Sequence, residues 1–287
     1  MADQAIEVSD LSYSYGELKA VDGVSFSVAP GEIMGFLGPN GAGKSTTIKM
    51  LTGQLKPNSG SIRVLGLDHV GHREEIQARM GVCFEEKNLY ESMSGEENLR
   101  FFASLFGLKD IDTDGLLRRV GLADRAGDRV AKYSKGMRQR LMMARTLVNS
   151  PDVLFLDEPT DGLDPVSAKA IRVLIEQEAA RGAAVLLTTH DMHEADELSD
   201  RVAFINEGRL HAVDTPENLK LKYGDRSVKV RMRSGDGVEE RAISLDDSGA
   251  ADFLRTAVQS EGLMTIHTEE ATLEAIFIEM TGRGLEG

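Results

Sequence analysis
Apolar and polar positions alternate at the start of the chain, through Ile6-Glu7-Val8 and again through Val24-Ser25-Phe26-Ser27-Val28, before a Pro30-Gly31 turn. A period of two sends successive side chains to opposite faces, so both stretches predict half-buried strands. The pattern then changes to short continuous apolar runs: Ile33 to Leu37, Val153 to Leu156, Ala184 to Thr188 and Val202 to Asn206. Runs of this length, bounded by turn residues, predict strands covered on both faces, as parallel sheets require. Met80 to Phe84 reads as another. Between them lie stretches of helical period: Ile48, Met50 and Leu51, then Gly95 to Leu147 with two Gly-containing breaks, then Val166 to Ala180. Strands alternating with helices predict an α/β domain built on a mostly parallel sheet. Beyond about Tyr223 the elements become short. Strands at Ser227–Met232 and Val238–Leu245 and helices near Ala251–Gln259 and Thr272–Met280 predict a small α+β accessory or regulatory domain. The division expected is 1–224, with a helical part at about 86–150, and 225–287.

A chain of 287 residues has room for one large and one small domain, and 41% hydrophobic with 28% charged residues is an ordinary globular balance. A formal charge of -14 and a pI near 4.9 repel a polyanion, and no Lys/Arg stripe offsets this, so no nucleic-acid partner is expected. The single cysteine, Cys83, has no intramolecular disulfide partner, which fits a cytoplasmic setting. The N-terminal MADQAIEVSD has no apolar core and does not read as a signal peptide. No apolar run approaches the roughly 20 residues that cross a bilayer, so any membrane role is expected to come through a partner.

Gly38-Pro39-Asn40-Gly41-Ala42-Gly43-Lys44-Ser45, followed by Thr46, fits G-x-x-x-x-G-K-[ST] and lies between a predicted strand and a predicted helix. Glycines let backbone amides curl around a phosphate without a side chain in the way, and the helix start adds its positive end. Lys44 is placed to reach the β- and γ-phosphates and Ser45 to hold Mg2+. Alone, this loop implies a nucleoside triphosphate. Asp157-Glu158 ends the run VLFLDE, and acids at the C-terminal edge of such a strand face the ligand crevice. Asp157 is the candidate Mg2+ ligand, and Glu158 the candidate base for an attacking water.

With these two motifs in place, the sequence resembles the ATP-binding subunits of ABC transporters over about residues 5–225. Tyr133-Ser134-Lys135-Gly136-Met137 is similar to the family's signature LSGGQ, retaining Ser134 and Gly136. Asp161-Gly162-Leu163-Asp164 resembles the D-loop and His190 the switch histidine, while Tyr15 matches the aromatic that stacks on adenine. The resemblance implies a P-loop NTPase core with an antiparallel β edge and a helical subdomain. It also implies ATP and Mg2+ as ligands, and hydrolysis by Glu158, His190 and Lys44. Ser134 and Gly136 would act at the partner's nucleotide, and Asp164, a further nucleotide-binding candidate, would lie in the D-loop next to the partner's phosphate loop. The implied partners are a second copy of the chain, or a paralogous ATPase, and a transmembrane permease on whose cytoplasmic face the chain sits. ATLEAIFIEMTG resembles the closing segment of exporter ATPases of the ABC-2 kind, which implies export.

One position departs from the family. Glu85 stands after the Met80–Phe84 strand where glutamine is usual, with Glu86 next. Glutamate is a charged oxygen donor to Mg2+, so retained hydrolysis with an altered Mg2+ response is expected. Titrating Mg2+ against the ATPase rates of the native chain and Glu85→Gln checks this, and coincident curves would refute it. The permease is expected beside Glu85, where Phe101, Phe102, Leu105 and Phe106 offer apolar surface. His190 and His193 do not form a zinc pair, because no further His or Cys follows at ligand spacing. Two other classes share the phosphate loop: a soluble ABC ATPase without a permease, and a weakly catalytic nucleotide-binding regulator. The first usually brings a second cassette or a long coiled coil, neither of which is in this sequence. Glu158 and His190 speak against the second.

Overall fold
The computed structural model describes residues 4–84, 88–224, 227–234, 237–269 and 271–282. These form two compact units, one ending at Thr215 and the other beginning at Pro216. The first unit begins with β1 (Ile6–Tyr15), β2 (Leu18–Val28), β3 (Ile33–Leu37), helix α1 (Lys44–Leu51), β4 (Ser59–Val64) and β5 (Leu67–Asp68). It continues with α2 (Arg73–Ala78), β6 (Met80–Cys83), α3 (Gly95–Leu105), α4 (Thr113–Arg119), α5 (Lys135–Thr146) and β7 (Val153–Asp157). It closes with α6 (Pro165–Ala180), β8 (Ala184–Thr189), α7 (Met192–Leu198), β9 (Arg201–Asn206) and β10 (Arg209–Asp214).

The central sheet has the order β10-β9-β3-β8-β7-β6, parallel throughout except for β10 at the edge. Every side chain of β3, β7 and β8 is buried, which is why these strands read as unbroken apolar runs. Alternation persists, but between two cores. Leu154, Leu156, Val185 and Leu187 join the core shared with α3, α4, α5 and α6. Val153, Phe155, Leu186 and Met34 join the core shared with α1 and the antiparallel strands. Burying one such side chain fully contributes roughly 1.5–3 kcal/mol. The antiparallel layer, β2-β1-β4-β5, is the β edge that the sequence resemblance implied.

The helical segment starts from a capping box. Ser94 Oγ accepts from Glu97 N at 3.1 Å, and Glu97 Oε2 accepts from Ser94 N at 2.7 Å. Ser94, Asp112, Ser134, Asp164 and Asp191 each cap the helix that follows, so helix starts here are written in single polar residues. Among the described residues, no helix is long and apolar enough to cross a membrane.

The second unit holds α8 (Pro216–Tyr223), β11 (Ser227–Ser234), β12 (Gly237–Ser244), α9 (Ala250–Gln259), β13 (Leu263–Glu269) and α10 (Leu273–Thr281). Its antiparallel sheet runs β12-β11-β13, with Val228, Val230 and Ala257 at the centre of a core that Phe253, Leu254 and Leu263 help to close. The break between units lies before α8, nine residues earlier than the sequence pattern placed it (224 − 215). The reason is that α8 packs on α10 within the second unit.

Candidate functional site
The C-terminal ends of the parallel strands gather the candidate chemistry, as open α/β sheets do. The loop from Gly38 to Gly43 leaves β3 and turns into α1 through Gly43, whose φ of 107° lies in the left-handed region. A Cβ there would also sit 2.5 Å from Ala20 O, and one on Gly38 would sit 2.1 Å from Ile205 O. Both glycines are therefore required by close backbone approach. The loop lines a cavity with Pro39, Asn40, Gly41, Gly43, Lys44, Ser45 and Thr46, closed by Ala20 and Glu158. Ala42 is buried beneath it. The first amides of α1 have no partner within the helix and point to the cavity end, a ready site for an anion.

Lys44 is buried, with only 5% of its side chain exposed. Its Nζ donates to Gly38 O at 2.5 Å and lies 3.3 Å from Glu158 Oε1. Glu158 Oε2 lies 2.9 Å from His190 Nδ1, and His190 Nε2 is 3.9 Å from Asp161 Oδ1. Glu158 has a φ of 49°, a costly conformation for a side chain of this size. Its backbone N–H is held there by Thr188 O and Thr188 Oγ1, both at 3.1 Å.

Asp157, also buried, accepts from Thr188 Oγ1 at 2.6 Å and from Ser45 Oγ at 3.2 Å. Thr188 thus holds both acids, a role that its place inside an apolar run conceals in the sequence. Replacing Thr188 by Val keeps the shape but deprives the buried Asp157 of a donor. It is expected to lower stability by about 1–3 kcal/mol, read as a lower urea midpoint, and an unchanged midpoint would contradict this role.

Ser45 and Asp157 offer hard oxygen donors on facing elements, which suits Mg2+. Glu85, the third candidate ligand, lies outside the described residues. His193 points instead towards Glu197, 3.8 Å away. Among the described residues no group of three or more His, Cys, Asp or Glu side chains could hold a metal ion.

The remaining candidates stand elsewhere. Tyr15 ends β1, is 46% exposed and meets Tyr13 edge-on with ring centroids 4.9 Å apart. It lies on the β1–β2 hairpin, which reaches the phosphate loop through Ala20. Ser134 caps α5 by accepting from Met137 N at 3.2 Å. A Cβ on Gly136 would sit 2.6 Å from Ser167 Oγ and 3.4 Å from Asp164 Oδ2, so the α5 start presses on the α6 start. Asp164 caps α6 through Val166 N and Ser167 N, and the Ser167 bonds hold its carboxyl below the usual carboxylate range. None of Ser134, Gly136 and Asp164 lines the phosphate-loop cavity.

Among the buried polar groups that escaped the sequence reading, two stand beside the site. Thr188 is one. The other is Glu194, which reaches both Thr160 Oγ1 (2.6 Å) and Thr189 Oγ1 (3.4 Å). Burial pushes its carboxyl above the usual range. A second cavity lies in the first unit, between Thr52, Gln77, Val82 and Phe84 on one side and Phe102, Leu105, Phe106 and Arg145 on the other. Leu105 and Phe106 are 66% and 42% exposed, so this apolar patch is a surface. Phe101 packs against Tyr90 and Phe102 beside it.

Residues 21–161 match the family model described as ABC transporter. A fluoroquinolones export ATP-binding protein of Mycobacterium tuberculosis (strain H37Rv) is 45% identical over 285 residues, covering 98% of this chain and 95% of the relative. The Nod factor export ATP-binding protein I of Paraburkholderia xenovorans (strain LB400) is 38% identical over 304 residues and covers both chains fully, at 100% each. A solved structure described as the ATP binding subunit of an ABC transporter superposes with a TM-score of 0.70 at 33% identity, covering 77% of this chain and 93% of that one.

Proposed function
The chain belongs to the ABC transporters as an ATP-binding subunit, and we propose that it hydrolyses ATP as one of a pair of chains to drive a separate membrane exporter. The observation that carries this reading is the convergence of Lys44, Ser45, Asp157, Glu158 and His190 on one phosphate-binding loop. On ATP binding, Lys44 exchanges Gly38 O and Glu158 for the β- and γ-phosphates, and the loop amides take the remaining charge. Glu158, oriented by His190, takes the proton of the water that attacks the γ-phosphorus, and ADP leaves with the bridging oxygen. Ser45 and Asp157 would hold Mg2+, which supplies charge neutralisation on the phosphates when bound.

Ser134 caps α5 and Gly136 lies in its first turn, at a helix start that does not line this cavity, which supports their acting on the nucleotide of a second copy. Binding would then close the pair and hydrolysis would reopen it, a ligand-dependent gate. The groove lined by Phe102, Leu105 and Phe106 is the seat for a permease segment, which would hold the chain on the cytoplasmic face of the membrane. The export names of the relatives support export as the direction.

The test is the ATPase rate of the purified chain with Mg2+ against its concentration, with Glu158→Gln as blank. The specific rate is expected to climb with concentration and to be lost on chelating Mg2+. A specific rate that stays flat at dilutions where the chain is a single copy in solution would rule out pairing as the active form. Equal rates for the two proteins would remove Glu158 from the chemistry.

A further inference from the structure
Glu194 sits in α7 with only 4% of its surface exposed. Its Oε2 accepts from Thr160 Oγ1 at 2.6 Å and lies 3.4 Å from Thr189 Oγ1, while Thr189 Oγ1 itself accepts from Asp191 N at 3.0 Å. Among the described residues its Oε1 makes no hydrogen bond, and it faces the Arg172 guanidinium at 3.9 Å. Thr160 stands two residues after Glu158, and Thr189 immediately precedes His190. One carboxylate oxygen therefore joins the loop that leaves β7 to the last residue of β8, next to His190. A carboxylate only accepts, so it compels both hydroxyls to turn towards it and fixes their direction. A buried carboxyl with one oxygen lacking a hydrogen bond, faced by a guanidinium at 3.9 Å, is unfavourable for folding, and such groups persist where a site needs them.

We propose that Glu194 is a positioning residue for hydrolysis, tying the Glu158 loop to the His190 loop so that the two side chains stay in register. The inference rests on the reading of Glu158 and His190 as the reacting pair. The two loops are also joined at the strand ends, where Glu158 N bonds Thr188. Glu194 supplies the second tie, on the far side of both functional residues, and two ties restrict rotation that one permits. It also fixes the start of the segment carrying Asp161, whose carboxylate stands 3.9 Å from His190 Nε2.

The experiment compares the full chain with Glu194→Ala, Glu194→Gln and Thr160→Val, the last removing one donor with no change of shape. Steady-state kcat and KM for ATP are measured alongside hydrogen–deuterium exchange. Displacing catalytic groups by about 1 Å can cost on the order of 100-fold, so Glu194→Ala is expected to lower kcat about 10- to 100-fold with KM within about threefold. Glu194→Gln, whose amide oxygen still accepts from both hydroxyls, is expected to keep most of kcat. Thr160→Val is expected to fall between, and combining it with Glu194→Ala to add little, as for residues acting as a unit. Exchange in residues 159–164 and 189–193 should quicken in Glu194→Ala while α1 stays protected.

The proposal is overturned by a kcat within about twofold of the parent in Glu194→Ala, by Gln failing to rescue, or by kcat, ATP affinity and protection falling together across the whole fold. A parent chain that binds ATP but never hydrolyses it would defeat the hydrolytic reading instead. Exchange alone would then decide the tie: unchanged exchange at both loops disproves it, and faster exchange confined to both supports it.

Discussion

Replacing Glu158 by Gln is expected to slow ATP hydrolysis by about 100- to 10,000-fold, the usual loss when a positioned general base is removed, while ATP binds at least as tightly. Gln keeps the length and shape of the side chain, so its amide oxygen can still meet His190 where Oε2 now lies, 2.9 Å from Nδ1. The backbone, which holds Glu158 at φ 49° through two bonds to Thr188, has no reason to change. What disappears is the capacity to take a proton. The affinity argument runs the other way. In the free chain Glu158 Oε1 is 3.3 Å from Lys44 Nζ and so competes with phosphate for that cation. Neutralising it frees Lys44 and removes one negative charge beside the triphosphate. Phosphate release gives kcat, and a fluorescent ATP analogue gives the dissociation constant. A variant that keeps more than about a tenth of the native rate would place the base elsewhere.

The central sheet was legible because its chemistry is local. Ile33–Leu37, Val153–Asp157 and Ala184–Thr189 are buried along their whole length, so each appears in the sequence as an apolar run with turn residues at its ends. The antiparallel layer was only partly legible. The pattern is clear at Ile6-Glu7-Val8 and lost after it, because register shifts interrupt β1 between Val8 and Ser14 and Asp10 turns to φ 49°. A bulge changes which face a residue takes, and the period of two no longer describes the strand. β10 and β13 were missed for a different reason. Both lie at sheet edges and carry mixed residues such as RLHAVD, with no side chain of β10 fully buried.

The site divides along the same line. The phosphate loop binds through consecutive amides, so its spacing is fixed in sequence and shows there. Thr188 and Glu194 act through contacts with residues about 30 positions away in sequence (|i−j| of 31 and 34). A threonine inside an apolar strand and a glutamate in the first turn of a short helix look ordinary until the chain is folded.

Lys44→Ala is expected to weaken ATP binding roughly 10- to 150-fold, which follows from the 1.5–3 kcal/mol that a hydrogen bond to a charged group contributes on average. Among the described residues Lys44 is the one cation lining the phosphate-loop cavity, whose other polar side chains contribute hydroxyl, amide or acid groups. Its head is already withdrawn from water, with 5% of the side chain exposed, so little further desolvation accompanies ligand binding. The native chain should gain thermal stability with added ATP in proportion to the ligand's affinity, and Lys44→Ala should show little gain at the same concentration. An undiminished shift would mean that the loop amides alone hold the nucleotide. Fold loss is not the expected cause of a reduced shift, because Ala favours the first turn of α1 and the vacated space opens onto the cavity rather than the core. Set beside Glu158→Gln, the two variants separate what a single deletion confounds. Removing the cation should abolish occupancy while leaving a proton acceptor in place, and removing the acceptor should leave occupancy intact. A chain in which both changes lowered affinity equally would have Lys44 and Glu158 acting as an ion pair that builds the pocket, not as phosphate anchor and base.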